Sequence, residues 1–407
     1  MTPTERTVDG SGSATHPAVR GEDTRKTNLS LVLSILHHDG VRSRAELTRV
    51  TALNRSTVAS LIGELSAAGL AFESAATASN QIGRPSPNVH PSASVVAIAV
   101  NPEVDAITVA LVGLGGEIIK RVRHATGHVP TAREAADVVG TVVVDLRSEF
   151  ASRLRFVGVG IAVPGLTRSD VGVVTNASRL NWQDEPIAAL VSEATGLRAA
   201  AANDASLGAN AAFHFGGGRG VENLLYLHGG ASGVSGGIIG DGTLTSGADG
   251  YAGQLGHTLV RTNGLACHCG SRGCLETEVT LAGLQSLVGM PGADADHVER
   301  ALRANWSEDV KREVSRQADF LAVTLGNAVN VFNPQAIILG GFLGTLFEFA
   351  GERMRETVAR RALYGPREVV EISRTVIGSD LLMIGAAELA FAPLLADPLG
   401  STLGAIQ

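Results

Sequence analysis

The chain has 407 residues, 44% hydrophobic, 18% charged and 4% aromatic, with a formal net charge of −7. This length predicts two or three folded units with a sizeable core, and the acidic balance excludes a protein that coats nucleic acid over its whole surface. No apolar run reaches the roughly 18–20 residues of a bilayer span, the first 23 residues lack the apolar core of a secretory signal, and three cysteines make no disulfide framework. The cytosol is the expected compartment, with no membrane partner.

In chain order, residues 1–22 are rich in Ser, Thr, Gly and charge and read as a disordered tail, with order beginning near Asn28. Leu29, Val32, Leu33 and Leu36 then follow the i, i+3, i+4, i+7 spacing of one helix face, which Gly40 stops. Ser43 and Glu46 form an S-x-x-E capping box that opens a short helix. After a turn at Thr51–Leu53, a second helix carries Val58, Leu61, Ile62 and Leu65 on one face as far as Gly69. Short helix, tight turn and longer helix make a helix-turn-helix arrangement. Arg55, Ser56 and Thr57 open its second helix, where base-reading side chains belong. Between Val41 and Ser60 four arginines, Arg44 among them, stand against one glutamate, a local charge of +3. Three short helices could also build no more than a small core. "LAFESAATASNQIGRPSP" favours a DNA-binding module, because it reads as a strand, a hairpin and then Gly83-Arg84-Pro85. A hairpin after such a helix is a wing, and Arg84 on a stiffened segment can enter a narrow minor groove. This module is bounded at 23–88, and a second unit occupies 89–407.

From Ser94 the pattern turns to strands. "SVVAIAV", "AITVALVG" and "EIIKRVRH" predict a β-meander, and "FVGVGIAVPG", "NLLYLHGG" and "SGGIIGDG" predict further buried strands. Helical stretches at 132–153, 186–195, 310–330 and 381–396 lie among them, so the second unit is α/β and bilobed. All the cysteines fall in "CHCGSRGC", residues 267–274. With the nearest histidine the spacing is His257-x9-Cys267-x-Cys269-x4-Cys274, which completes a tetrahedral zinc shell with no open position, a structural site. His268 is a rival ligand, expected to point away. The plain alternative is three free thiols in an apolar loop.

"GYAGQLGHTLVRTNGLACHCGSRGCLETEVT" resembles the hallmark segment of the ROK family, which groups sugar-responsive repressors, unassigned reading frames and sugar kinases. The resemblance extends over nearly the whole chain from residue 25. It implies an α/β fold with an N-terminal winged helix-turn-helix followed by a bilobed actin/hexokinase-like, ribonuclease-H-like domain with a cleft between its lobes. It also implies one structural Zn²⁺ per chain in loop 257–274, with His257 facing a sugar as well as the metal. Asn203-Asp204 and Glu276 match family sugar ligands, and Gly165 in "GIAVPGL" lets backbone approach a ligand closely. One position departs: the family's Gly-Glu-x-Gly-His reads Gly253-Gln254-Leu255-Gly256-His257 here, so Gln254 keeps an acceptor, gains a donor and loses a charge.

Kinases of the family carry an Asp-x-Gly-Gly-Thr-Lys turn for phosphate. Here that stretch reads "AIAVNPEVDAITVALVG", without the glycines or lysine, and Pro102 removes a backbone donor. The second phosphate loop, Gly-Thr-Gly-x-Gly-x-Gly in kinases, reads Ala231-Ser232-Gly233-Val234-Ser235-Gly236-Gly237, while "AIILGGFLG" keeps Gly340-Gly341. The expectation is a non-enzymatic, sugar-responsive repressor of carbohydrate genes. It binds operator DNA and a sugar or sugar-derivative effector, as a homodimer or dimer of dimers. The alternative is a sugar kinase with a fused DNA-binding module, in which Asp204 would be the general base.

Overall fold

The N-terminal module assembles on the apolar faces read from the sequence. The computed structural model describes residues 21–75, 86–150 and 153–400. The tail as far as residue 20, and Arg84 with the wing tip, lie outside the described residues. The first helix spans Gly21–Asp39, so helical structure begins ahead of Asn28 and reaches into the segment expected as tail. Leu29, Val32, Leu33 and Leu36 are buried. Ser43 and Glu46 make both halves of the capping box on helix Arg44–Thr51, and Ala52 turns the chain with φ of 55°. Asn54 caps the next helix, Arg55–Ala67, which buries Val58, Leu61, Ile62 and Leu65. Strands Arg42–Ser43, Asn88–Pro91 and Ala71–Ser74 form the antiparallel wing sheet in that order. The expected boundary at 88/89 cuts a strand, because Phe72 pairs with His90 and Ala71 with Pro91.

The remaining chain builds two five-stranded sheets of the same plan, each with an antiparallel meander at one edge and parallel strands at the other. In spatial order the first holds Ala199–Asn203, Arg155–Val163, Val95–Pro102, Ala106–Gly113 and Ile118–Ala125. The second holds Glu371–Arg374, Ala336–Gly341, Leu224–Gly230, Gly233–Gly240 and Thr243–Leu244. Strands such as Val95–Pro102 are buried along their whole length, as continuous apolar runs covered on both faces must be. The expected bilobed α/β architecture is thus a duplicated one.

Two helices fill the space between the lobes. Helix Leu381–Ala396 packs on the first sheet, helix Asp204–Phe215 on the second, and the two pack on each other. Gly385 sets that last distance: a Cβ there would stand 2.3 Å from the Leu207 carbonyl oxygen. Leu381–Ala396 is apolar nearly all round, as a core helix is; Glu388 is its buried exception. The core that these helices share is continuous with Leu29, Leu33 and Leu36 of the first helix, so the N-terminal module is packed onto the second unit. Among the described residues, no helix is long and apolar enough to cross a membrane.

Candidate functional site

Both lobes contribute to a cleft of about 320 Å³. On the first lobe, strand Ala199–Asn203 passes directly into helix Asp204–Phe215, with Asn203 as its cap. Asn203 Oδ1 accepts the Ser206 N–H at 3.0 Å, and its Nδ2 donates to the Gly165 carbonyl at 3.0 Å. Much of this amide's capacity is therefore spent on holding two segments together. Asp204 is buried and accepts from the Ala205 N–H at 2.7 Å and the Ser235 hydroxyl at 3.0 Å. Burial outweighs these bonds and pushes its carboxyl up to about 6.

On the second lobe, the tight Gly230–Gly233 hairpin faces the segment that carries Gln254, His257 and Glu276. Gly233 has φ of +126°, and a Cβ there would stand 2.7 Å from Glu276 Oε2, so only glycine fits beside that carboxylate. The structure brings Gly165, Asn203, Asp204, Gln254, His257 and Glu276 together in the cleft wall. Sequence reasoning missed Asn176, Ser178, Arg179 and Ser232, which also line it. The first three belong to a strand end and turn that no motif marks; Ser232 was visible only as a replacement in a glycine loop. Gln254 Nε2 and Ser232 Oγ are buried without a hydrogen-bond partner. Such atoms are costly unless something satisfies them, which is the signature of a polar-ligand site.

The cysteine loop closes beside the cleft through short bridges, Leu259 to Cys274 and Ala266 to Arg272. The ligand atoms of His257, Cys267, Cys269 and Cys274 all lie within 4.8 Å of one another. His257 Nδ1 is 3.6 Å from Cys267 Sγ, and Cys269 Sγ is 3.7 Å from Cys274 Sγ. Ligands at zinc bond lengths and tetrahedral angles stand about 3.6 Å apart for N and S and about 3.8 Å apart for two S. The donor set thus fits a tetrahedral metal. Burial pushes the Cys267 and Cys274 thiols above their ordinary range, and a divalent cation is what would favour their thiolates. His268 stands outside this ligand set, as expected. Its Nδ1 lies 2.9 Å from Glu276 Oε1, drawn to the carboxylate on the cleft side, and it lines the cleft.

Where the resemblance would put a kinase phosphate turn, Asn101 pairs with Thr108 and Pro102 with Ile107. The tight turn between them is Glu103-Val104-Asp105, closed by the Glu103 N–H on the Ala106 carbonyl at 2.8 Å. Burial, then the neighbouring Asp105, push the Glu103 carboxyl up to about 6. Both acids line a second cavity, of about 360 Å³, that adjoins the first at Arg179, Gly230 and Gly233.

On the N-terminal module Arg55 and Ser56 are exposed at the start of helix Arg55–Ala67. The Ser56 hydroxyl donates to Asn54 Oδ1 at 2.7 Å, and so does the Thr57 N–H at 2.8 Å. Asn54 was overlooked, although an Asn just before a periodic apolar run is an N-cap signal. Arg44, expected among the DNA-binding residues, holds both oxygens of Glu73 on the wing strand with its guanidinium. It joins helix to wing.

The sequence model described as the ROK family matches residues 97–392. The chain belongs to the ROK family. A putative xylose repressor from Caldicellulosiruptor sp. (strain Rt8B.4) is 27% identical over 398 residues, which cover 92% of this chain and 98% of that protein. The crystal structure of a ROK family transcriptional regulator, a homolog of the E. coli MLC protein, superposes with a TM-score of 0.74 at 21% identity, over 94% of this chain and all of the other. A ROK family glucokinase from Streptomyces griseus, in complex with glucose and AMPPNP, superposes with a TM-score of 0.64 at 25% identity, over 73% of this chain and 99% of the other. Fold and family agree with the expectation. The glucokinase is matched almost whole while part of this chain is left over.

Proposed function

We propose that the chain is a transcriptional repressor of carbohydrate genes that binds operator DNA through residues 21–91 and a sugar or sugar derivative in the cleft. One observation carries this reading: a winged helix-turn-helix with Arg55 and Ser56 exposed at the start of its second helix, packed onto a domain whose cleft holds unsatisfied buried polar atoms. The full-length similarity to a protein named as a repressor supports it. In the cleft, Asp204 and Glu276 accept from sugar hydroxyls, Asn203, Gln254 and His257 add donors, and the backbone at Gly165 closes one wall. On DNA, Arg55, Ser56 and Thr57 approach base edges and Arg84 the minor groove. Arg44 could reach a phosphate only by leaving Glu73.

Zinc is the metal that the donor set suits, held by His257, Cys267, Cys269 and Cys274. A shell filled by four protein ligands leaves no place for a reacting water, so its part is structural: it fixes the loop and the His257 ring beside the cleft. A homodimer or dimer of dimers would match a two-fold symmetric operator, and the cytosol is where such a protein works.

A second reading, a sugar kinase, is favoured by Asp204, whose burial and raised carboxyl suit a general base. Against it stand Glu103 and Asp105, which put acid where a nucleotide's phosphates would need donors. Selection from a random DNA duplex pool tests the choice. The repressor reading expects enrichment of a two-fold symmetric site by the full chain, lost with Arg55→Ala. No enriched site, together with saturable Mg-ATP binding and phosphorylation of a hexose, would favour the kinase.

A further inference from the structure

Two helices run from the cleft region to the N-terminal module. Helix Asp204–Phe215 begins at Asn203 and Asp204 in the cleft wall and ends at His214 and Phe215. Helix Leu381–Ala396 places Leu382 and Met383 of its first turn in the wall of the second cavity and carries Glu388 and Phe391 further along. Both meet His37 and His38, in the last turn of helix Gly21–Asp39.

Glu388 receives both imidazoles. His37 Nε2 lies on Oε1, and His38 Nε2 lies 2.8 Å from Oε2. The His37 ring packs against Phe391 at 5.1 Å and edge-on against Phe215 at 5.5 Å. The His38 ring stacks on His214, with centroids 3.9 Å apart and planes 11° from parallel. Arg219 ties the corner together by donating to the backbone carbonyls of His38 and His214. From the meander turn, the Gly115 N–H donates to His37 Nδ1 at 2.8 Å. That bond fixes the tautomer: Nδ1 accepts, so Nε2 carries the hydrogen and donates to Glu388. It also argues against a metal here, because a protonated Nε2 has no lone pair to give.

Carboxylate burial in an apolar helix is unfavourable unless donors offset it. Here the donors come from another domain, so Glu388 is satisfied only while the first helix is docked. The contact is therefore engaged or broken, with little between, which is what a coupling element requires. We infer that the His37–Glu388–His38 clasp is the joint by which the state of the cleft sets the orientation of the DNA-binding module. Helix Asp204–Phe215 links its cleft end to the clasp as one rigid body. What module and cleft bind rests on the function proposed above; the test needs neither DNA nor sugar.

Amide hydrogen exchange on the full, ligand-free chain reads the joint directly. Wild type is compared with Glu388→Gln, whose amide nitrogen would face an imidazole donor, and with His38→Gln, which leaves the His37–Glu388 contact in place. The expected result is exchange about tenfold faster at Gly115 and in residues 32–39. The amides of Ala205 and Ser206, at the far end of the linking helix, should exchange about threefold faster, with helix Glu308–Phe332 unchanged. Faster exchange at Gly115 with no change at Ala205 and Ser206 would overturn the proposal, since the clasp would then only dock the module. Acceleration everywhere, including Glu308–Phe332, would overturn it too, as general destabilisation, and so would no change at all. If Glu388→Gln does not fold, His38→Gln decides by exchange in residues 32–39 and at Ala205 and Ser206, read by the same outcomes. Failure of the sugar or DNA assignments would leave these exchange results untouched.

Discussion

Two histidine clusters in this molecule were assembled in opposite ways. Around His257 the ligand atoms come from residues 257–274, a single loop closed by short bridges. Around Glu388 the partners lie 351 and 350 positions away in the chain, and two domains must dock before they meet. The first is specified by local chain geometry and the second by the whole fold. Damage to the first should therefore stay local, while damage to the second should be felt at both ends of the molecule.

The largest effect is expected from Cys269→Ser. Structural zinc contributes on the order of 10 kcal/mol to peptides that depend on it, but in a domain with this much core the loss should fall on the loop. Elemental analysis should drop from about one zinc per chain to none, and proteolysis should open residues 257–276 while the global melting transition survives. Protein purified without chelators that holds no zinc would remove the metal from the account.

The Glu388 cluster should appear as acid sensitivity. Against the cost of burial, the two imidazole donors hold its carboxyl below the ordinary carboxylate range. A carboxyl depressed in the folded state contributes stability above its unfolded value near 4.5, and that contribution is lost as pH falls below it. Denaturant unfolding should show wild type losing more stability than Glu388→Gln as pH falls below about 4.5.

Asp204 has the opposite sign. Its carboxyl is raised to about 6, so the folded state holds a proton that the unfolded chain gives up near 3.8, and stability falls as pH rises between these values. At pH ~7.5, Asp204→Asn should therefore stabilise the protein by about 1–3 kcal/mol while abolishing the response to effector. A lower melting temperature for this variant would show that the charge is better satisfied than its bonds to Ala205 and Ser235 suggest.

The smallest effect on the protein itself is expected from Arg55→Ala. Its exposed side chain should leave stability unchanged and relax base preference at one position by about 1–3 kcal/mol, read from selected duplexes. Uniform weakening across all sequences would make Arg55 a phosphate contact instead.

Most of the module was legible because each of its elements is decided locally. The spacing of Leu29 to Leu36, the Ser43/Glu46 box and the apolar face of Val58 to Leu65 each need only a short window. The His/Cys cluster of residues 257–274 was legible for the same reason. In the cleft, motifs gave Asp204, Gln254 and Glu276, but Asn176, Ser178 and Arg179 gave no signal, because only tertiary folding carries that strand and turn to the site. The contact of His268 with Glu276 gave no signal, because its cysteine neighbours do not set it. The partner of Arg44, Glu73, gave no signal because it pairs across the wing. Glu388 read only as a break in an apolar run, since nothing near it in sequence hints at two imidazoles from the far end of the chain.

The central claim is that one molecule links a sugar cleft to DNA. Its most direct test is a pair of calorimetric titrations, with the same sugar added to the free protein and to the protein saturated with its selected duplex. The sugar is whichever of D-xylose, D-glucose and their phosphates raises the melting temperature most. Linkage requires the duplex to change sugar affinity by the same factor as the sugar changes duplex affinity, expected to be about 5–150-fold. Equal sugar affinities in the two titrations would contradict the account.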